Sequence, residues 1–389
     1  MQKRSVDYYD YSLLAIIILL TGFGLIMLYS TSAYTAELSY QDDMYFFKRQ
    51  AVFSIFAIGI AVGVSLIDYH RLWHVGGTLT IVSIVLMAMV MWSPLGMTVN
   101  GAKRWLNLGI ISFQPSEVAK IAAIVYLPVW IVKMGRRYRG FKAILPPLGV
   151  AIALALPAYL WTDNLSTAVI IFLIAATIIF VAHPKSAGFI GAAAGGAALI
   201  GIAIRLIAKQ ANSGGSFRIM RILVWLNPEE YIEDGGYQVM QGLYAIGSGG
   251  IFGKGLGNSM QKLGTIPEAQ NDMIFSIVCE ELGIFGAAIV IMLFIYLLYR
   301  LFIIAQNAPD LYGALMVTGI FAHIATQVIL NICVVLNLIP TTGITLPFFS
   351  YGGTSVMLMM MEFSIALSVS RQIRIRQQER NVWGDFVHE

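Results

Sequence analysis

A chain of 389 residues that is 58% hydrophobic and only 12% charged lies outside the composition of soluble globular domains. A mean hydropathy of +0.75 says the same, and a net charge of +4, carried mostly by loops, gives no argument for nucleic acid. Both cysteines, Cys279 and Cys333, sit in apolar segments, so there is no disulfide framework and no cysteine metal-ligand spacing.

The expected fold is an all-α polytopic membrane protein, a single integral domain over residues 1–389. Residues 1–10 read as a short tail. An apolar run over 11–29 follows, long enough to cross a hydrocarbon core of about 30 Å, with no A-x-A-type cleavage site behind it. Further runs cover 47–67, 73–92, 115–132, 144–161, 165–182, 188–208, 274–304, 312–336 and 346–369, about ten spans in all. An even number puts both termini on one side. Lys133, Arg136, Arg137, Arg139 and Lys142 between the fourth and fifth runs, and Arg371, Arg374, Arg376 and Arg380 in the tail over 371–389, make that side cytoplasmic by the positive-inside rule.

The loop over 95–114 and the long segment over 209–271 then face outward, although they carry Lys103, Arg104, Arg218, Arg221, Lys254 and Lys262. Basic residues outside run against the rule, which makes them anion-binding candidates or solvated loop charge. In NGAKRWLNLGIISFQPSEVAK, a helix start at Pro115 puts Glu117 and Lys120 on one face just inside the membrane, either as a structural bridge or as a lysine for a phosphate with a carboxylate to orient it. Asp163 or Asn164 reads as the cap of the sixth span. His323 is the one histidine well inside a span, since His74 sits at the very start of the third run, and it reads as a helix-packing group.

The outer segment over 209–271 is too long for a simple connection. FRIMRILVWLNP offers an amphipathic turn or two. YQVMQGLYAIGSGG offers a short helix before a glycine-rich run, which is either a re-entrant lining over a cavity, the favoured reading, or a flexible surface loop. Next comes IPEAQNDMIFSIVCEELG over 266–283. A helix starting at Pro267 would put Glu268 and Asp272 on one face, and a start capped by Asn271 is equally legal. Either way Asp272 lies near the outer end of an apolar run, with Glu280 and Glu281 roughly 12 to 14 Å deeper at about 1.5 Å per residue. Acids at membrane depth mark a site or buried ion pairs. NLIPTTGITLPFFSYGGTS, over 337–355, sets Ser350, Thr354 and neighbouring hydroxyls in a break between spans, suited to a sugar or phosphate or to a tight outer turn. Glu362, a further intramembrane acid, has no assigned role.

The segments NGAKRWLNLG, FQPSEVAK, GYQVMQGLYAIGSGGIFGKGLGNSMQK, PEAQNDMIF, EELG and LPFFSYGGTS resemble, in order and spacing, the SEDS family of bacterial shape, elongation, division and sporulation proteins. The resemblance covers about residues 11–370, and GLGNSMQK with PDLYG is more similar to its FtsW and SpoVE branch than to RodA. It implies a peptidoglycan glycosyltransferase that polymerises lipid II at the outer face of the cytoplasmic membrane. The implied partners are a class B penicillin-binding protein that supplies transpeptidation and other divisome or sporulation proteins. The family's essential aspartate, in P-E-x-x-x-D, falls on Asp272 after Pro267 and Glu268. Its basic residue before Trp falls on Arg104, and its Q-P-S-E-x-x-K falls on Gln114, Glu117 and Lys120. Two positions depart: Asn271 stands where the family has threonine, and Asn164 where it has an aspartate, so no proton transfer is assigned to Asn164.

The reaction so implied needs a base at a sugar hydroxyl and positive charge on a departing pyrophosphate. Asp272 is the candidate base, with Arg104 and Lys120 as phosphate contacts and Lys103, Glu117, Glu268, Lys262, Ser350 and Thr354 as further substrate-binding candidates. Glu281 and Gln114 are supporting candidates. Alternatively Asp272 holds a divalent cation, Mg or Mn, on the pyrophosphate. The competing class is a transporter that flips lipid II, and against it the charged residues gather at the outer ends of the helices. A scaffold that only recruits partners would leave the buried acids without a chemical role.

Overall fold

The computed structural model describes residues 6–375 except 8, 100, 110–111, 139, 185–187, 189–190, 192–216 and 265, and the expected span over 188–208 lies almost wholly outside the described residues. The chain begins with β1 (Val6–Asp7), followed by α1 (Tyr11–Tyr40), α2 (Tyr45–Ser65) and α3 (Leu72–Trp92). A small sheet follows, β2 (Gly96–Val99), β3 (Ala102–Asn107) and β4 (Ser112–Phe113), before α4 (Pro115–Met134), α5 (Leu145–Leu160) and α6 (Leu165–Ala182). The long outer segment contributes α7 (Phe217–Leu226) and α8 (Tyr237–Gly249). The last elements are α9 (Ile274–Asn307), α10 (Leu311–Val335), α11 (Gly353–Arg371) and β5 (Arg374–Ile375). Among the described residues, eight helices are long and apolar enough to cross a membrane, and the protein is a multi-pass membrane protein.

Local chemistry fixes the helix ends. The Asp10 carboxylate accepts the Leu13 amide at 2.8 Å and pairs with Arg300 at 2.7 Å, tying the start of α1 to α9. Asn164, not Asp163, caps α6 by accepting the Thr167 amide at 3.0 Å. Pro115 occupies the first turn of α4, where its missing N–H costs nothing. β1 pairs antiparallel with β5, so the segment before the first span and the segment after the last meet on one face of the bundle.

Three expected outlines change. α1 runs past residue 29 to Tyr40, because the hydroxyls of Thr31 and Ser32 bond back to the Leu28 carbonyl and Ser30 faces the interior. The outer loop over 95–114 is an antiparallel sheet in the order β2-β3-β4, an addition to the all-α reading. The last span starts at Gly353 and not at 346, because residues 346–352 run irregularly through Phe348 at φ 68°.

α4, α10 and α11 carry the densest burial, and α4 packs against α3, α5, α6 and α10. α2 lies on α11 and α1 on α9, both presenting large apolar side chains outward, as a lipid-facing layer does. The polar ends of the central helices therefore meet at one end of the bundle.

Candidate active site

Asp272 is placed by tertiary hydrogen bonds. α9 begins only at Ile274, so neither Pro267 nor Asn271 starts it, and Met273 at the cap position makes no side-chain cap bond. Residues 267–273 form turns instead, with Glu268 at φ 55° and the Asn271 amide on the Glu268 carbonyl at 2.9 Å. The carbonyl of Asn271 accepts the Ser350 hydroxyl at 2.6 Å and that of Asp272 accepts the Asn331 side chain at 2.9 Å. Once these carbonyls point at α10 and the 346–352 segment, they cannot begin a helical ladder. Glu268 and Asp272 do not share a helix face, yet both line the same cavity.

That cavity, about 450 Å³, is walled by β3, the first turns of α4 and α6, α7, α10 and the segment before α11. Arg104, Lys120 and Arg221 bring positive charge to it, and Glu117, Glu268 and Asp272 bring negative charge. Arg104 lines the cavity and donates to the Asp163 carbonyl at 2.9 Å. Burial, and then the neighbouring Arg221, lower its pKa. Two guanidiniums that repel each other in a concave site form a receptor for an anion. Lys120 is paired with Glu117 at 2.8 Å.

Asp272 is partly accessible from the cavity. Crowding by protein pushes its pKa up to about 6, with the charge of Glu268 adding to the rise and that of Arg221 opposing it. Its Oδ1 accepts a long contact of 3.4 Å from Gln238. A carboxyl poised near neutrality suits general-base work, which the ordinary 3.8 does not.

Other expected site residues lie elsewhere. Lys103 donates to the Met91 carbonyl at 3.0 Å, outside the cavity lining. Thr354 donates to the Ser112 carbonyl at 3.3 Å and steadies the sheet. Lys262 is buried against Glu281 at 2.7 Å and Ser30 at 3.0 Å, so it is a structural cation on α9. Glu281 is its counter-ion and, like Glu280, does not line the cavity. The glycine-rich run after α8 docks on α9 instead of lining the cavity. Ser350 lines it, but its hydroxyl is spent on Asn271 and on the Leu346 amide at 2.8 Å. Gln114 does line it. The side chain of Arg218 lies outside the described residues.

Gln238, Asn271, Ser166 and Tyr351 also line the cavity; Asn271 stands out in sequence only as a cap candidate and a departure from the family pattern, and nothing local marks the other three as site residues. Arg221 carried a signal, as a basic residue on the outer side. Among the described residues no group of three or more His, Cys, Asp or Glu is placed to hold a metal ion. Asp272 and Glu268 supply oxygen donors of the kind Mg or Mn takes, so further ligands would have to come from substrate or water. Charge is not confined to the outer ends of the helices: His323 and Glu362 pair deep in the bundle, at 2.6 Å.

Residues 11–375 match the family model for cell cycle proteins of the FtsW, RodA and SpoVE type. The chain is 38% identical over 370 residues to stage V sporulation protein E of Bacillus subtilis, covering 94% of this chain and 98% of that one. It is 35% identical over 369 residues to a probable peptidoglycan glycosyltransferase FtsW of Trichlorobacter lovleyi, covering 94% of both. Among solved structures it is similar to a chain of a peptidoglycan synthase complex described as coordinating polymerization and crosslinking. That match has TM-score 0.76 and 25% identity over 95% of this chain and 99% of that one. The rod shape determining protein RodA of Thermus thermophilus shares the fold, with TM-score 0.66 at 24% identity over 95% of this chain and 98% of that one.

Proposed function

The chain belongs to the FtsW, RodA and SpoVE family of cell cycle proteins, and from that membership and its cavity we propose that it is a peptidoglycan glycosyltransferase that polymerises lipid II for division or sporulation. The observation that carries the chemistry is the placement of one near-neutral carboxyl, Asp272, in a cavity shared with Arg104, Arg221 and Lys120. Relatives that share most of the chain's length are named probable peptidoglycan glycosyltransferase FtsW, which supports the same reading.

In this reaction the 4-hydroxyl of one sugar attacks the anomeric carbon of another. A C–O bond forms there as the bond to the lipid pyrophosphate breaks. Asp272 takes the hydroxyl proton, and the two guanidiniums and the ammonium stabilise the charge gathering on the pyrophosphate. Gln238 and Asn331 hold the Asp272 side chain and backbone in place. A divalent cation, Mg or Mn, held by Asp272 with Glu268, is the alternative use of these carboxylates, and when bound it would supply charge neutralisation on the pyrophosphate. The enzyme works in the bacterial cytoplasmic membrane with its cavity toward the outer face, beside a class B penicillin-binding protein and other divisome or sporulation proteins. The similarity to a chain of a peptidoglycan synthase complex supports that partnership.

The deciding experiment is polymerisation of lipid II by the purified chain, alone and with its class B partner, comparing wild type with Asp272→Asn. Glycan strands made by wild type and absent with a folded mutant are expected. A mutant that polymerises normally refutes the role of Asp272. Lipid II flipping in vesicles by a wild type that never polymerises would instead install the transporter reading.

A further inference from the structure

Below the cavity a line of ionisable groups continues into the bundle. Lys120, whose Nζ is 2.8 Å from Glu117 in the cavity wall, also lies 2.9 Å from His323 Nε2. His323 Nδ1 is 2.6 Å from the Glu362 carboxylate. Lys120, His323 and Glu362 are 2%, 2% and 1% exposed, and they come from α4, α10 and α11. His323 is the middle residue of α10, roughly 18 Å from either end at about 1.5 Å per residue. Ionisable groups at such depth are costly, and they are usually paired and mark a functional site.

The hydrogen-bond inventory is over-subscribed at one atom. Nε2 faces Lys120 and also the Gln327 side-chain oxygen, at 2.8 Å. The Gln327 amide cannot turn round, because its NH2 donates to the Thr345 carbonyl at 3.0 Å. An ammonium needs a lone pair on Nε2, whereas a carbonyl oxygen needs a hydrogen there. With Lys120 charged, Nε2 accepts from it and Gln327 faces a lone pair. With the proton on the ring, the imidazolium donates to Gln327 and Glu362, and Lys120 becomes an amine that still donates to Glu117. Each state leaves one contact unmet, so the geometry favours neither outright. Among the described residues, Lys120, Gln327 and Glu362 are the groups hydrogen-bonded to His323, with Glu117 behind Lys120.

We propose that Lys120, His323 and Glu362 share one mobile proton, and that His323 and Glu362 are positioning residues that set the charge Lys120 presents to a phosphate-class anion in the cavity. The proton passes from Lys120 Nζ to His323 Nε2, one N–H bond breaking as the other forms, and Glu362 provides the counter-charge. An anion at the cavity draws the proton onto Lys120, and its departure lets the proton return to the ring. The anion's identity as a pyrophosphate rests on the polymerase reading, whereas the shared proton does not.

The test follows the ring nitrogens of His323 by NMR in the full chain in detergent, the signal being assigned by its loss in His323→Gln. Inorganic pyrophosphate is expected to shift the wild-type ring toward the neutral form, and Lys120→Met is expected to alter its pH titration even without ligand. A ring whose titration is the same in wild type, Lys120→Met and Glu362→Gln overturns the proposal, whatever the activity. In turnover, Glu362→Gln and His323→Gln are expected to raise KM for lipid II about tenfold, the size of a weakened charge-assisted contact, and to move the pH profile. A purely structural pair would change stability and leave the profile in place. Wild type that fails to polymerise counts against the proposed function alone, since the ring titration is read without turnover.

Discussion

Replacing Asp272 with asparagine should make the protein more stable while abolishing its activity. Crowding raises this carboxyl from 3.8 to about 6, so the folded protein holds the proton more tightly than the unfolded chain does. The carboxyl therefore costs nothing below both values, costs progressively more as pH rises through about 6, and costs a constant amount above. At roughly 1.4 kcal/mol per pH unit the full cost is about 3 kcal/mol at pH 7.5, falling to about 0.5 kcal/mol at pH 4. Asparagine removes the charge and keeps an oxygen for Gln238, so it recovers most of this. Denaturant or thermal unfolding in detergent at both pH values reads the difference between the two proteins. A mutant no more stable than wild type at pH 7.5, or a gap that persists undiminished at pH 4, would refute the argument that burial strains this residue.

The same carboxyl sets the acid limb of catalysis: polymerisation by wild type should fall to about a tenth of its plateau at pH 5, as Asp272 takes up its proton, and a flat profile between pH 5 and 7 would remove it as the base. Arg104→Met and Arg221→Met should each raise KM for lipid II about tenfold, as expected for one lost charge-assisted contact, with non-additive effects in the pair, and steady-state kinetics on both variants checks this. Lys262→Met strands the buried Glu281 and should cost about 3 to 5 kcal/mol, whereas Lys262→Met with Glu281→Gln should recover most of it in unfolding measurements. If Asp272 acts as a base, EDTA should leave the rate within about twofold. A loss that Mg or Mn restores would make Asp272 a metal ligand.

Eight of the ten expected spans are legible because each is an apolar run long enough to cross a bilayer, and Asp272, Arg104 and Lys120 because they sit in motifs with fixed spacing. Their environment is not. Glu268 and Asp272 look like helix neighbours in sequence, but the bonds from Ser350 and Asn331 that hold Asn271 and Asp272 out of the helix come from residues far along the chain. Lys262 looks like an external cation available to substrate. Its partners, Glu281 in α9 and Ser30 in α1, meet only in the fold. His323 reads as a packing group because nothing near it in sequence announces Lys120 or Glu362. The small sheet is not announced in the sequence because the charges of the loop over 95–114 stand out and its short strands carry no pairing signal of their own.

The glycine-rich run explains why the acid cluster in EELG serves a different end from Asp272. α9 is interrupted at Gly283, at φ 68°, which leaves amides and carbonyls unpaired inside an apolar layer. The run supplies the missing partners: the amides of Lys254 and Gly255 donate to the carbonyls of Glu280 and Glu281 at 3.0 and 2.9 Å, and those of Ile284 and Phe285 donate to Gly250 and Ile251 at 3.0 and 3.1 Å. Only glycine fits this approach, since a Cβ on Gly253 would lie 2.1 Å from the Glu281 carbonyl oxygen. The two carboxylates then clamp Lys254 at 2.6 Å and Lys262 at 2.7 Å. The short helix from Ile274 to the break is thus held at its inner end by this clamp and, just before its outer end, by Ser350 and Asn331. Asp272 is mounted on a segment fixed on both sides, the condition under which a carboxyl keeps its aim without a ladder of its own.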